Sequence, residues 1–156
     1  VSTCGLVPKI TQLGIDTDVN LAVSLNAVDD DLRSRLMPIN KKYPLKTLLD
    51  ACRHFQMKPR NKITFEYILI KDVNDSEQAA RKLIRQLKGI KAKVNLIPFN
   101  EHEKSEYERP AKERVSRFLQ ILLDAGMTAI TRKSKGDDIS AACGQLKARL
   151  LERRPV

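Results

Sequence analysis

The sequence lacks a long hydrophobic run and has few cysteines. No stretch approaches the roughly 18 consecutive apolar residues of a membrane-spanning helix, and no basic stretch followed by an apolar segment opens the chain. We therefore expect a cytoplasmic protein without a membrane partner. The three cysteines, Cys4, Cys52 and Cys143, are widely spaced and form no C-x-x-C pair. This predicts free thiols and argues against a metal site made by this chain alone.

The chain is long enough for one domain with a hydrophobic core. It has 156 residues, of which 42% are hydrophobic. Neither an interdomain linker nor a low-complexity tract interrupts it, so we predict a single α/β domain over residues 1–156. The sequence opens on Val-Ser-Thr-Cys-Gly and not on Met, and we expect it to be a segment of a longer protein.

Positive charge dominates the composition. Twenty-nine lysines and arginines stand against 19 acidic residues, which gives a formal net charge of +10. Such an excess favours an anionic partner, RNA or DNA before a membrane surface. The alternative is a merely solvated basic surface.

Apolar runs alternate with amphipathic stretches along the chain. The pattern predicts buried strands at 19–26, 63–70, 92–99 and 127–131, and a polar loop at 100–108. It predicts helices at 5–14 with Gly14 as the terminating residue, at 29–36, from Pro44 to Phe55, at 79–87 ended by Gly89, and from Pro110 to Gly126. Strands that alternate with helices indicate a parallel sheet with right-handed crossovers.

Polar residues collect where the predicted strands end. They are Ser2, Ser24-Leu25-Asn26, Asp72, Asn74, the segment 95–100 and Arg132-Lys133. Ligands bind at the carboxyl ends of strands in such sheets, and these groups suit a ligand rich in hydroxyl, carboxylate and amide groups, such as a nucleoside attached to an amino acid. The alternative for each residue is ordinary turn capping.

The most unusual stretch is Arg-Lys-Ser-Lys-Gly-Asp-Asp-Ile-Ser-Ala-Ala-Cys-Gly-Gln-Leu at 132–146. Gly136 permits a turn, and Asp137 or Asp138 can cap a following helix. Cys143 lies on the apolar stripe of that predicted helix, which is typical of a buried small residue. The nearby cations and the helix start also suit a reactive or methyl-carrying thiol. Composition and spacing leave both interpretations open.

Three stretches together resemble a known family. They are Val-Ser-Leu-Asn at 23–26, Leu-Met-Pro-Ile-Asn-Lys-Lys-Tyr at 36–43 with Asn-Leu-Ile-Pro-Phe-Asn at 95–100, and the stretch 132–146. They resemble the C-terminal half of bacterial radical-SAM RNA methyltransferases, which methylate carbon 2 of adenine in 23S rRNA and tRNA. The resemblance implies half of a partial (β/α)6 radical-SAM barrel, S-adenosylmethionine (SAM), a [4Fe-4S] cluster and a reductant such as flavodoxin. A monomer is expected.

The resemblance also implies roles for individual residues. Cys143 matches the methyl-carrying cysteine of the family, and Ser2, Ser24, Leu25, Asn26 and Asn100 match its SAM contacts. The cations Lys41, Lys42, Arg132, Lys133 and Lys135 would reach RNA phosphates.

The sequence departs from the family pattern in several places. The cluster motif C-x-x-x-C-x-x-C is absent, and its position upstream in the family implies that the cluster ligands lie outside this chain. We therefore expect the segment alone to be inactive. Asn26 stands where the family usually has His, Cys4 replaces a common Ser, and the loop after Asn100 differs from the usual Pro-Gly-rich turn.

Three alternatives stay open. One is a basic RNA-binding module without catalysis, and another is a methyltransferase specific for carbon 8 of adenine. The third is a small-molecule enzyme with Asp137, Asp138 or His102 as acid or base. The rRNA and tRNA substrates are not distinguished by the sequence.

Overall fold

The structure, a computed structural model, describes residues 1–101 and 105–132. Its centre is a five-stranded, all-parallel sheet whose strands follow one another in chain order. The strands are β1 (Ser2–Thr3), β2 (Ala22–Ser24), β3 (Ile63–Leu69), β4 (Ala92–Pro98) and β5 (Thr128–Thr131). The predicted parallel α/β architecture is confirmed.

Helices fill the crossovers between successive strands. They are α1 (Val7–Asp16), α2 (Asp30–Leu36), α3 (Leu45–Arg53), α4 (Glu77–Leu87) and α5 (Lys112–Asp124), with a 3-10 helix at Pro38–Lys41. Because the strand order never reverses and crossovers are right-handed, the helices gather on one face of the sheet. This is the arrangement of part of a (β/α) barrel.

Local signals set several helix ends, among them the predicted ends at Gly89 and Gly126. Asp29 caps α2 by accepting a hydrogen bond from the Leu32 N–H at 2.9 Å, and Ser76 caps α4 in the same way through Ala79. Gly89 and Gly126 follow α4 and α5 with φ of 82° and 75°, the left-handed conformation that ends helices.

Gly14 does not end its helix, and this part of the prediction was wrong. Helix α1 continues to Asp16, and Gly14 is buried within it. A Cβ atom at this position would lie 2.9 Å from Cδ2 of Phe55. The glycine is therefore needed for close packing against the segment after α3. The strand predicted at 19–26 is also shorter, since β2 keeps Ala22–Ser24 alone.

The core lies between the sheet and the helices. Register places Val23, Phe65, Val94 and Ala129 side by side on adjacent strands, and all four are buried. Cys52 on α3 is 1% exposed and belongs to this core, as its position on an apolar stripe predicts. Among the described residues, no helix is long and apolar enough to cross a membrane.

Candidate functional site at the carboxyl edge of the sheet

The sheet gathers most of the predicted site residues at one edge. Ser24 ends β2, Asn100 follows β4 by two residues, and Arg132 follows β5 directly. Ser2 lies on the short strand β1, in register with Ala22. Since the strands are parallel, their carboxyl ends meet at this edge. The predicted contacts that are far apart in sequence therefore share one region.

One face of the sheet is open and partly polar. Ser24, Glu66, Asn95 and Ile130 form a row of register partners on adjacent strands. The first three are half-buried and Ile130 is 58% exposed, in contrast to the fully packed row on the helix side. This face corresponds to the inner wall of a barrel, and we call it the inner face.

The inner face offers hydrogen-bond acceptors with few protein donors. The Ser24 hydroxyl donates to Oε2 of Glu66 at 3.5 Å, and no cation among the described residues pairs with this carboxylate. The buried Oδ1 of Asn95, in the same row, has no hydrogen-bond partner. Unsatisfied buried oxygens cost free energy. A ligand with ammonium, amino or hydroxyl donors fits this surface.

Arg33 connects the carboxyl ends of β1 and β2 through hydrogen bonds to their main chain. Its side chain is fully buried, and it donates to the carbonyl oxygens of Cys4, Ser24 and Leu25 at 2.8, 3.2 and 3.1 Å. A fourth hydrogen bond, of 3.0 Å, reaches Oδ1 of Asn40. Burial lowers the pKa of the Arg33 guanidinium. The cation is stabilised because its donors are matched by these oxygens.

Asn74 connects the ends of β2 and β3. Its Nδ2 donates to the carbonyls of Asn26 and Ile68 at 2.8 and 2.7 Å, while its Oδ1 accepts from the Ile70 N–H at 2.7 Å. Only 2% of the residue is exposed. The loop after β2 and the end of β3 are thus fixed relative to each other.

The sequence places Asn74 among the polar strand-end residues that suit a ligand, with turn capping as the alternative. It predicts no role for Arg33, nor for Asn40 beyond its place in the motif at 36–43. The spacing of α2 contains a signal for Arg33. It lies next to Leu32 and four residues before Met37, and residues four apart share one face of a helix, so Arg33 lies toward the buried face of α2.

Asn26 has a structural role besides its predicted ligand contact. Its φ is 59°, a conformation that asparagine tolerates better than most residues. Oδ1 of Asn26 accepts a hydrogen bond from the Ile68 N–H at 3.0 Å, and Nδ2 lies 3.4 Å from Sδ of Met37. The side-chain amide of Asn26 is therefore built into the turn after β2.

Leu25, also predicted as a SAM contact, has a fully buried side chain in the core. Its N–H donates to the Glu66 carbonyl at 2.9 Å, and its own carbonyl accepts from Arg33. The main chain at this position is therefore held rigidly beside Ser24.

The cations predicted to bind RNA are only partly brought together. Lys41 ends the 3-10 helix and Lys42 follows it, and both are exposed in the crossover that leaves β2. Arg132 is exposed beyond β5, where its N–H donates to the Leu96 carbonyl at 2.8 Å. Lys133, Lys135 and Cys143 lie outside the described residues, as do His102, Asp137 and Asp138.

The described residues do not fit an iron-sulfur cluster. No group of three His, Cys, Asp or Glu side chains in 1–101 and 105–132 could hold a metal ion. Cys4 is exposed and Cys52 is buried in the core, where burial raises the pKa of its thiol to about 12. A protonated core thiol is a poor metal ligand.

Comparison with known proteins shows high similarity over the whole chain. It is 60% identical over 156 residues to the dual-specificity RNA methyltransferase RlmN of Syntrophotalea carbinolica and 56% identical over 155 residues to that of Geobacter sulfurreducens. These alignments cover 100% and 99% of this chain but 42% and 43% of the two relatives. The chain thus spans about two fifths of the length of the curated relatives it matches. No family model matches the sequence.

Solved structures agree with this similarity. A radical SAM methyltransferase from Sphaerobacter thermophilus matches with a TM-score of 0.86 and 49% identity, over 93% of this chain and 43% of its own. A domain of a pyruvate-formate lyase-activating enzyme from Bacteroides vulgatus matches with a TM-score of 0.66 and 20% identity, over 85% of this chain and 80% of its own. The second likeness concerns the fold alone. By sequence over its full length, and by fold over most of it, the chain is similar to about two fifths of the RlmN RNA methyltransferases and of a radical SAM methyltransferase.

Proposed function

We propose that this chain supplies part of the SAM pocket and the methyl-carrying cysteine of a radical-SAM methyltransferase. The parent enzyme would methylate carbon 2 of adenine in 23S rRNA and tRNA through an S-methylcysteine intermediate at Cys143. The observation that carries the proposal is the common edge at which Ser24, Asn26 and Asn100 lie, on a parallel sheet with an open inner face. Ser2 lies two residues further toward the amino ends of the strands, level with Ala22.

The inner face suits SAM by its hydrogen-bonding chemistry. Glu66 and the unpartnered Oδ1 of Asn95 accept hydrogen bonds, and the Ser24 hydroxyl can donate or accept. SAM carries an ammonium group, ribose hydroxyls and an adenine amine as donors. In this proposal Ser24 and Asn100 orient the cofactor, and the buried Arg33 and Asn74 keep the strand ends in place.

Residues outside this chain would complete the enzyme. The reaction needs a [4Fe-4S] cluster that reduces SAM, and we place its ligands elsewhere in the parent protein. A reductant such as flavodoxin, a monomeric state and a cytoplasmic location belong to the same proposal, as does one α/β domain over 1–156. We expect the segment alone to be inactive.

The test uses the full-length parent protein, reconstituted with iron under anaerobic conditions. Methyl transfer from labelled SAM to 23S rRNA and tRNA is measured, and the label is located on the base. We expect label on carbon 2 of adenine and its loss in Cys143→Ala. Cys4→Ala is the matched control, because Cys4 is an exposed free cysteine. This variant should retain transfer.

Other outcomes would redirect the proposal. Label on carbon 8 would indicate the other regiochemistry. Retained transfer in Cys143→Ala would contradict the assigned cysteine. RNA binding without any transfer by the wild-type protein would favour a non-catalytic RNA-binding module, which the net charge of +10 also suits.

A further inference from the structure

A groove of about 830 Å³ lies at the opposite edge of the sheet from the candidate site. It opens at the amino ends of β3, β4 and β5, between the last turn of α4 and the residues that follow α5. Strand β3 has seven residues, so roughly 20 Å separates the two edges. The groove is therefore distinct from the predicted SAM pocket.

The rim of this groove is strongly cationic. Its lining contains Arg60, Lys62, Arg85, Lys88 and Lys91, all exposed, and not one aspartate or glutamate. We call it the basic groove. Its floor is apolar and includes Ile84, Leu87, Ile90 and Met127.

These cations are not neutralised by neighbours in the described part of the chain. Lys62 donates to the Thr128 hydroxyl at 2.7 Å, and none of the five forms a salt bridge there. Some cations elsewhere on the surface do form salt bridges. On the outer surface of α4 and α5, Arg81 and Arg117 both pair with Glu77, at 3.2 and 2.8 Å.

Helix capping does not explain the cluster. Arg85 and Lys88 lie at the carboxyl end of α4, where positive charge is favourable. Arg60, Lys62 and Lys91, however, lie in the connections that enter β3 and β4 and belong to no helix. Like charges concentrated without partners repel one another, which an anionic ligand relieves.

We propose that the basic groove binds the phosphate backbone of the RNA substrate, as a second contact surface remote from the reacting base. This inference rests on the proposed function for its ligand. The groove lining has no aromatic side chain, so it lacks the ring platform on which bases stack in single-strand binding sites. The contact therefore contributes affinity and orientation and does not read sequence.

The experiment compares two double variants of the full-length parent protein. Arg60→Gln with Arg85→Gln removes two exposed groove cations. Arg81→Gln with Arg117→Gln is the control, since it removes the same charge from exposed arginines that are already paired with Glu77. Binding to rRNA and tRNA fragments is measured across a series of salt concentrations.

The groove variant should bind RNA several-fold more weakly. The slope of log K against log salt should fall by about 1.4 to 1.8, because each lost phosphate contact removes about 0.7 to 0.9. The control should keep the wild-type slope. Lys88→Gln with Lys91→Gln, a second groove variant, should reproduce the loss for RNAs of different sequence.

An unchanged slope in both groove variants would overturn the inference, as would an equal loss in the control. If the groove variants lowered the thermal stability of the parent protein but left the salt slope of RNA binding unchanged, another part of the protein would cover the groove. That result would also overturn the inference. Methyl transfer at saturating RNA separates this inference from the proposed function. The rate of methyl transfer at saturating RNA should be the same in the groove variants as in the wild type. If the wild type transferred no methyl group, the proposed function would be contradicted. The salt slopes of RNA binding would still test the groove in that case.

Discussion

The guanidinium of Arg33 donates a 3.0 Å hydrogen bond to Oδ1 of Asn40, and both side chains are almost fully buried. Asn40 in turn donates to the carbonyl and carboxylate oxygens of Asp30, at 3.2 and 2.9 Å. This pair connects the helical crossover after β2 to the carboxyl ends of β1 and β2. The positions of Ser24 and Leu25 therefore depend on buried side chains of the crossover after β2.

Replacing Arg33 with Met should destabilise the protein by about 3 kcal/mol, because three carbonyls and one amide oxygen lose their donor while they stay buried. Three of the acceptors are main-chain groups, so an apolar side chain cannot compensate for them. Urea unfolding measures the change. Arg35→Met on the same helix is the control, since Arg35 is exposed, and should shift stability by less than about 0.5 kcal/mol.

A double-mutant cycle tests the pair itself. Arg33→Met and Asn40→Ala should show a coupling energy of about 1 kcal/mol or more, as expected for hydrogen-bonded residues in one network. Strictly additive effects would contradict the described contact. SAM affinity of the parent enzyme should fall in both single variants, because the strand ends move.

Asn74→Ala should cost about 3 kcal/mol of unfolding free energy, since three buried hydrogen bonds to the main chain are lost. Asn74→Asp keeps the acceptor for the Ile70 N–H, but it places a buried carboxylate oxygen against the carbonyls of Asn26 and Ile68, so a loss at least as large is expected at neutral pH. Asn20→Ala, at an exposed position, serves as the control in the same unfolding series. An effect at Asn74 no larger than at Asn20 would refute this account.

Asn26→Ala should be less stable than Asn26→Gly by about 1 kcal/mol. Both variants lose the hydrogen bond to the Ile68 N–H, but alanine also meets the strain of a left-handed φ, which glycine does not. Asn26→Asp retains an oxygen acceptor at this position and should be the most stable of the three. Thermal unfolding gives the order, and alanine ranking above glycine would exclude a strained turn.

Cys52 should make stability fall at alkaline pH. Burial raises the pKa of this thiol from 9.0 to about 12, so between these values the unfolded chain loses a proton that the folded chain keeps. The stabilising contribution is complete below pH 9, and it decreases by about 1.4 kcal/mol per pH unit above it. The unfolding free energy of Cys52→Ala should therefore depend less steeply on pH between 9 and 10 than that of the wild type.

Alkylation provides a second measurement on the same residue. At pH 8, iodoacetamide should modify exposed Cys4 and leave Cys52 unmodified until the protein unfolds. Peptide mass mapping locates the label. Rapid modification of Cys52 in the folded protein would contradict its burial.

The sequence by itself determined the order of the four longer strands and the helices between them, the parallel sheet, the helix ends at Gly89 and Gly126, and the family resemblance. Each of these depends on local periodicity, cap chemistry or a contiguous motif, which a linear sequence records directly. The predicted ligand contacts at Ser2, Ser24, Leu25, Asn26 and Asn100 and the methyl-carrying role of Cys143 stay predictions. They come from motif resemblance, and binding or turnover must test them.

Only the tertiary structure shows the features that depend on packing between distant parts of the chain. The sequence predicts Gly14 as the end of a helix. In the structure a glycine is needed there because the ring of Phe55 packs against the helix at this position. Arg33 and Asn74 became braces of the candidate site only when the chain brought distant carbonyls within hydrogen-bond distance of their side chains. The basic groove likewise unites cations from two connections and one helix end, which no sequence window contains. Contacts between residues distant in the chain depend on the sheet register and helix packing, and these arise from the whole fold.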